Sequence, residues 1–173
     1  AAFSSYNPLF NRNGGTAQFG FMGGENSTWG ADGGASAIYN KLSVSAGYSG
    51  FGTDGYRDNN DKNLDIANFF AQYQFNTKTS IQAEYRYRND NRGEKTFFSD
   101  DLLPDLRKED ETNSFRLGFH HNFFPGSDLI GNFQYADANR SLHDDYPISE
   151  LVFPTFNFDI DTDENAYSGE LSQ

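Results

Sequence analysis

The chain has 173 residues, a formal net charge of -12 and a pI near 4.4, which argues against nucleic acid as a partner, since phosphate binding needs a basic face. It contains no cysteine, so neither a disulfide frame nor a thiolate metal site can form. With a mean hydropathy of -0.76, it has no apolar run near the roughly 18 residues of a membrane helix, a test that does not reach membrane strands.

In chain order, the first predicted strand lies near 15–24 and places Ala17, Phe19 and Phe21 on one side. A short connection near 25–30 leads past Trp29 into a predicted strand over 34–50. There Leu42, Val44, Ala46 and Tyr48 alternate with Lys41, Ser43, Ser45 and Gly47, and Ile38 and Asn40 share the apolar phase. A long loop is expected over 51–62. The next strand, 63–75, groups Ala67, Phe69, Ala71, Tyr73 and Phe75 against Asn68, Gln72 and Gln74, with Phe70 breaking the polar side.

Residues 76–79 make a hairpin-length connection into 80–89, the cleanest segment. Here Ile81, Ala83, Tyr85 and Tyr87 fall on one face and Gln82, Glu84, Arg86 and Arg88 on the other. Alternation of this length predicts a strand between two very different environments, since a helix would spread the charge around its circumference. After a long loop over 89–111, the strand 112–123 alternates Phe115, Leu117, Phe119, His121 and Phe123 with Arg116 and His120 among others. A turn at 124–127 leads to 128–139, where Ile130 is an exception to the pattern. A long loop over 143–164 precedes a last strand, 165–173, with Tyr167, Gly169 and Leu171 in phase.

These segments predict an all-β chain: an antiparallel, up-and-down transmembrane β-barrel segment of about seven strands, an incomplete barrel. Short and long connections alternate, as periplasmic turns and extracellular loops do in outer-membrane barrels. The apolar faces are aromatic and end in Tyr, which suits a girdle where ring meets lipid and hydroxyl meets water. An odd strand count cannot close a barrel of the usual even type, and both chain ends read as cuts through a larger protein. The competing architecture is a soluble secreted β-sandwich binding module with one shared core.

The expected sites follow from the same alternation. Glu84, Arg86, Arg88 and Arg116 face a wet lumen, where they contact a small solute or a plug, or neutralise one another along the wall. Asp159, Asp161 and Asp163 have the spacing of a calcium loop with Glu170 at the twelfth place. Glu164, however, stands where that loop needs Gly and no helices flank it, so a solvated loop is the simpler expectation. The acidic run from Asp100 to Glu111 reads as solvated loop, and the aromatics Phe97, Phe98, Phe153 and Phe156 as loop packing. His143, Asp144 and Asp145 offer too few ligands for a catalytic metal, and the adjacent His120 and His121 point to opposite faces. No nucleophile stands at a suggestive spacing from a base, and no nucleotide fingerprint occurs. No catalytic residue, metal or cofactor is therefore expected.

Residues 6–12, 38–43, 53–57, 65–68 and 79–88 carry a family likeness, clearest in Tyr6-Asn7-Pro8-Leu9-Phe10-Asn11-Arg12 and Ile81-Gln82-Ala83-Glu84-Tyr85-Arg86-Tyr87-Arg88. The chain resembles the barrel region of TonB-dependent receptors, and more closely that of barrel proteins bearing N-terminal tetratricopeptide repeats. The resemblance implies the bacterial outer membrane, with its lipid as partner, and uptake or passage of a small solute. It also implies a plug or a periplasmic energising partner, although neither plug nor energising box is expected within these residues. A barrel that serves as a membrane anchor, or as a secretion or assembly scaffold, is the alternative.

Overall fold

The computed structural model describes residues 13–93, 106–144 and 158–173. They form a single antiparallel sheet of eight strands in up-and-down order. The strands are β1 (Gly14–Gly23), β2 (Trp29–Tyr39), β3 (Leu42–Thr53), β4 (Lys62–Asn76), β5 (Thr79–Gly93), β6 (Arg107–Phe124), β7 (Ser127–Asp144) and β8 (Phe158–Ser172). Each pairs only with its sequence neighbours, and β1 and β8 are open edges, so the sheet is not closed.

The expected count of about seven strands is corrected to eight, because the predicted strand 34–50 contains a hairpin. Tyr39 pairs with Leu42 across the two-residue turn Asn40–Lys41, and Asn40 takes a left-handed φ of 54°. Asn tolerates that conformation better than most residues. The turn is tied down by Asn13, whose Oδ1 accepts from the Asn40 backbone N at 2.7 Å. A two-residue turn also inverts the alternation. Ala35, Ala37 and Tyr39 share a face with Leu42 and Val44, so Ile38 lies on the other face, contrary to expectation.

With this turn placed, the connections sort completely by end. The two-residue turns 40–41, 77–78 and 125–126 lie at one end. The connections 24–28, 54–61, 94–106 and 145–157 join the strands at the other. The connection near 25–30 therefore belongs with the longer ones. The strands also run further than expected into the predicted loops 51–62, 89–111 and 143–164: β5 continues to Gly93, β6 begins at Arg107, β7 reaches Asp144 and β8 begins at Phe158. The β6 extension Arg107-Lys108-Glu109-Asp110-Glu111 is charged on both faces and the β5 extension Arg88-Asn89-Asp90-Asn91-Arg92 is polar on both, which conceals these strands from a hydropathy pattern.

The turn end is laced by a repeated device. Lys41 and Lys78 each hold second place in a turn, and their ammonium groups donate to the backbone oxygens of Phe75 at 2.7 Å and Phe123 at 3.4 Å. Their own backbone oxygens accept from Gln74 N and Asn122 N, both at 2.8 Å. The register shifts at Gln74/Asn76 and Asn122/Phe124 make Phe75 and Phe123 the extra residues of two bulges beside the turns. At the other end, the segment 54–61 folds across to β5 and β6. Asn59 Nδ2 donates to Leu106 O at 2.9 Å, and Asp61 pairs with Arg107.

No second layer covers this sheet among the described residues, so it is not a two-sheet sandwich. Leu106, 6% exposed, is the one buried large apolar residue described. Phe69, Tyr85, Leu117 and Phe133 lie side by side on one exposed face and do not meet across a sealed interior. The opposite face is the sheltered one: Ser80 and Asp90 are buried there, and Glu84 and Arg116 are mostly covered. A single sheet can shelter only the side towards which it curls, so the polar face is the concave one.

Gly126, with φ of 88°, closes the Pro125–Gly126 turn and has open space where a Cβ would sit. The cost of a side chain there is backbone strain alone. Gly126→Ala is expected to destabilise the folded state by about 1 kcal/mol, whereas Asn40→Gly changes it by only a few tenths. Denaturant unfolding of the two variants beside the parent measures both.

Candidate functional site

The site is the sheet itself, and register defines it. A line runs straight across all eight strands through Ala17, Ala35, Ala46, Phe69, Tyr85, Phe115, Tyr135 and Tyr167, each directly opposite the next. Side chains directly opposite one another share a face, so these eight belong to one surface. With them stand Phe19, Val44, Ala71, Ile81, Ala83, Leu117, Phe119, Phe133 and Leu171.

The limits of this apolar zone are oblique to the strands. Leu42 opens β3 four residues on the turn side of the line, Thr79 opens β5 six residues away, and Ser127 opens β7 eight away. The far limit moves the same way. It falls from Trp29 on β2, six residues beyond the line, through Tyr48 and Tyr87 two beyond, to Tyr135 and Tyr167 on it. A slip of about one residue per strand, at ~3.3 Å per residue and ~4.8 Å between strands, is a tilt of about 35°. Thr79 to Tyr87 and Ser127 to Tyr135 each span eight residue steps, about 26 Å along the strand and about 22 Å across the zone.

Both limits are aromatic. On the turn side, Tyr73 meets Phe75 edge-on at 5.1 Å, and His121 lies between Phe119 and Phe123 at 6.4 and 4.6 Å. His121 Nδ1 is 2.8 Å from the Thr79 hydroxyl. His120 faces the other way and is 2.9 Å from Asp128, so the two adjacent histidines part as expected. On the far side, Trp29 lies over Gly50 and Gly52, where any Cβ would collide with the indole. Three tyrosines then repeat one bond. The Tyr48 hydroxyl donates to Asp65, Tyr85 to Asn113 at 2.6 Å, and Tyr135 to Asn165 at 2.7 Å. Each acceptor is the first polar residue beyond the apolar zone on the following strand.

Past that boundary the same face turns acidic. Asp65, Glu109, Glu111, Asp137, Asp159, Asp161 and Asp163 occupy it on β4, β6, β7 and β8. Glu109, Asp110 and Glu111 are thus strand residues, and so are Asp159, Asp161 and Asp163, which were expected in a loop. Strand spacing sets the last three in a row about 7 Å apart, which does not converge on a point as a calcium loop does. Among the described residues, no group of three or more His, Asp or Glu side chains is arranged to hold a metal ion. His143 sits 3.9 Å from Asp159. Asp145, Asp100, Asp101 and Asp105 lie outside the described residues, as do Phe97, Phe98, Phe153 and Phe156.

The polar face gathers the cations. Glu84, Arg86, Arg88 and Arg116 all line one concavity of about 480 Å³, with Thr112, Ser114 and Gln134. Glu84 is directly opposite Arg116, and their charged ends are 3.5 Å apart. Sequence reasoning missed Asp90, whose side chain is 1% exposed. Its Oδ2 receives Arg88 at 2.5 Å and Lys62 and Arg92 at 3.6 Å each. Buried carboxylates need such partners, because desolvation of an unpaired charge costs several kcal/mol. Asp90 was hidden because it lay inside a segment read as loop. Its place in the Arg88-Asn89-Asp90-Asn91-Arg92 alternation is the signal that could have found it.

Comparison with known proteins brings no relative: no family model, no curated protein and no solved structure matches this chain.

Asp90→Asn keeps the shape and removes the charge. It is expected to destabilise the fold by about 1–2 kcal/mol, below the ~3–5 of a fully buried pair because its three partners reach solvent. For the same reason the loss shrinks as salt rises. Unfolding of the variant and parent at low and high ionic strength gives the comparison.

Proposed function

We propose that this chain forms part of the wall of a transmembrane β-barrel in the bacterial outer membrane. The apolar zone meets hydrocarbon, and the concave polar face lines a lumen that admits a small solute. The observation that carries this reading is the obliquity of the zone. Its two limits slip together by about one residue per strand, the relation expected when strands tilted by ~35–45° cross a slab with parallel faces. The height of about 22 Å is close to the ~25 Å apolar band of outer-membrane barrels, and both limits carry the aromatics of an interfacial girdle.

The orientation follows from the connections. The two-residue turns sit at the edge of the zone, on the periplasmic side, while β5 to β8 continue past the tyrosine boundary and carry the acidic residues outside. The open edges β1 and β8 join each other or further strands when the wall closes. Resemblance to TonB-dependent receptors and repeat-bearing barrels extends the proposal to receptor- or transporter-like uptake, with Glu84, Arg86, Arg88 and Arg116 in contact with solute or plug. Transport of this kind is binding and passage, with no covalent chemistry.

The absence of cysteine from these 173 residues permits a direct test. Single cysteines replacing Ile81, Leu117 or Phe133 are expected to react with a water-soluble maleimide in liposomes at least ~10-fold more slowly than cysteines replacing Glu109, Asp137 or Asp161. All six lie on one face, so equal rates along it would rule the proposal out. Leu117→Lys, near mid-zone, is expected to cost about 2–4 kcal/mol in bilayers, and lysine at Asp137 about 0–1.

A further inference from the structure

The net charge of the chain hides a positive wall. Six of its 13 Lys and Arg residues, namely Lys62, Arg86, Arg88, Arg92, Lys108 and Arg116, occupy the polar face of three adjacent strands, β4 to β6. The acids of that face on the same strands are Glu84, Asp90 and Asp110. Their arrangement is layered. Asp90 and Asp110 lie directly opposite each other beyond the concavity, next to the Lys62, Arg92 and Lys108 row. Glu84 and Arg116 lie opposite each other on its turn side. Between these layers stand Arg88 opposite Thr112 and Arg86 opposite Ser114, with Gln134 beside Arg116.

The lining thus holds three guanidiniums against one carboxylate, together with two hydroxyls and an amide. Asp90 fixes Arg88 from outside the concavity through a single guanidinium nitrogen, Nη2. Guanidinium forks with hydroxyl donors match the oxygens of a polyatomic anion, whereas a monatomic halide gains only the charge. Shelter on the concave side weakens the competition from water.

The geometry points to a subsite for a small, multiply charged oxyanion, such as phosphate or the phosphorylated end of a solute, held by Arg86, Arg88 and Arg116 with Ser114 and Thr112. This rests on the barrel reading for its place in a lumen, while the binding itself does not. Glu84 occupies Arg116 in the absence of the anion and competes with it, so the ligand displaces one ion pair on entry.

The probe is inorganic phosphate, compared with chloride at equal pH and ionic strength, and the readout is the thermal unfolding midpoint of the full-length protein in detergent. At about ten times its Kd, phosphate is expected to raise the midpoint by roughly 3–6 °C over chloride. Arg86→Gln and Arg116→Gln abolish most of that difference, Glu84→Gln enlarges it, and Lys78→Gln, in a distant turn, leaves it unchanged. Should Arg116→Gln fail to fold because Glu84 loses its partner, the double variant Glu84→Gln/Arg116→Gln carries the same test against Glu84→Gln alone. Equal midpoints in phosphate and chloride overturn the subsite, and so does a phosphate effect that survives both arginine changes. If the cysteine pattern in liposomes holds while phosphate has no effect, the barrel reading stands and the subsite falls. If phosphate acts but the pattern is absent, the subsite stands and the barrel reading falls.

Discussion

Cross-strand register governs everything else in this molecule. Side chains alternate with a period of two, so each strand offers two faces. Hydrogen-bonded register decides which residues of the next strand join them. Here eight strands agree without a break: the line from Ala17 to Tyr167 remains on one face throughout. A slip of a single residue between any two strands would drive the aromatics of one half into the charges of the other. The lysine-laced turns and the bulges at Phe75 and Phe123 hold that register at the turn end.

This agreement creates a large apolar surface that none of the described residues covers. Each large apolar side chain gains about 1.5–3 kcal/mol on leaving water, and the exposed set runs from Phe19 on β1 to Leu171 on β8. A second sheet or a helical layer is the usual cover, and among the described residues none is present. A partner protein would impose the outline of its own surface. Oblique limits that move by about one residue per strand on average, each carrying Tyr, Trp or Phe, are the observation on which the proposed membrane wall rests. The three tyrosine bonds to Asp65, Asn113 and Asn165 lie along the far limit of the apolar zone, each joining an aromatic ring to the first polar side chain of the following strand.

The sequence made the middle of this sheet readable and its margins opaque, for physical reasons. From β4 to β7 the contrast between alternate residues is strong, as in Ile81-Gln82-Ala83-Glu84, and the faces, the turns at 77–78 and 125–126, and the grouping of Glu84, Arg86, Arg88 and Arg116 were all legible. In β2, Gly33-Gly34-Ala35-Ser36-Ala37 carries almost no contrast. A two-residue turn at Asn40 could therefore invert the phase unseen and place Ile38 on the wrong side. Beyond the tyrosine boundary the outward face is polar and the inward one mixed, with Leu64, Ile66, Leu142 and Ile160 among its charges. The alternation of Lys108 and Asp110 with Glu109 and Glu111 separates inner from outer charge, a distinction that hydropathy cannot register. Asp159, Asp161 and Asp163 do alternate with Phe158, Ile160 and Thr162, a contrast that was passed over in an acidic segment read as loop, and Asp90, which alternates with asparagines, was lost in the same way.

That hidden alternation explains how a chain of net charge -12 can gather Lys62, Arg86, Arg88, Arg92, Lys108 and Arg116 on one face of β4 to β6. Past the apolar zone, the outward positions carry Asp65, Glu109, Glu111, Asp137 and the three aspartates of β8 with Arg107, while the inward ones carry Lys62, Arg88, Arg92, Lys108 and Arg140 with Asp90, Asp110, Asp144 and Glu164. The two populations stand on opposite sides of one sheet, about 10 Å or more apart at their charged ends, a distance near the Debye length of ~8 Å at physiological salt. Outward charge is therefore largely screened by solvent before it reaches the inner side. Inside the curl, walls of low dielectric concentrate the field of the cations. Asp90 does not cancel that field, because it is buried among three cations and takes up only part of their charge. The period-two rule that separates apolar from polar side chains in the lower part of the strands thus separates, in the upper part, a predominantly acidic face from one where cations and carboxylates are mixed.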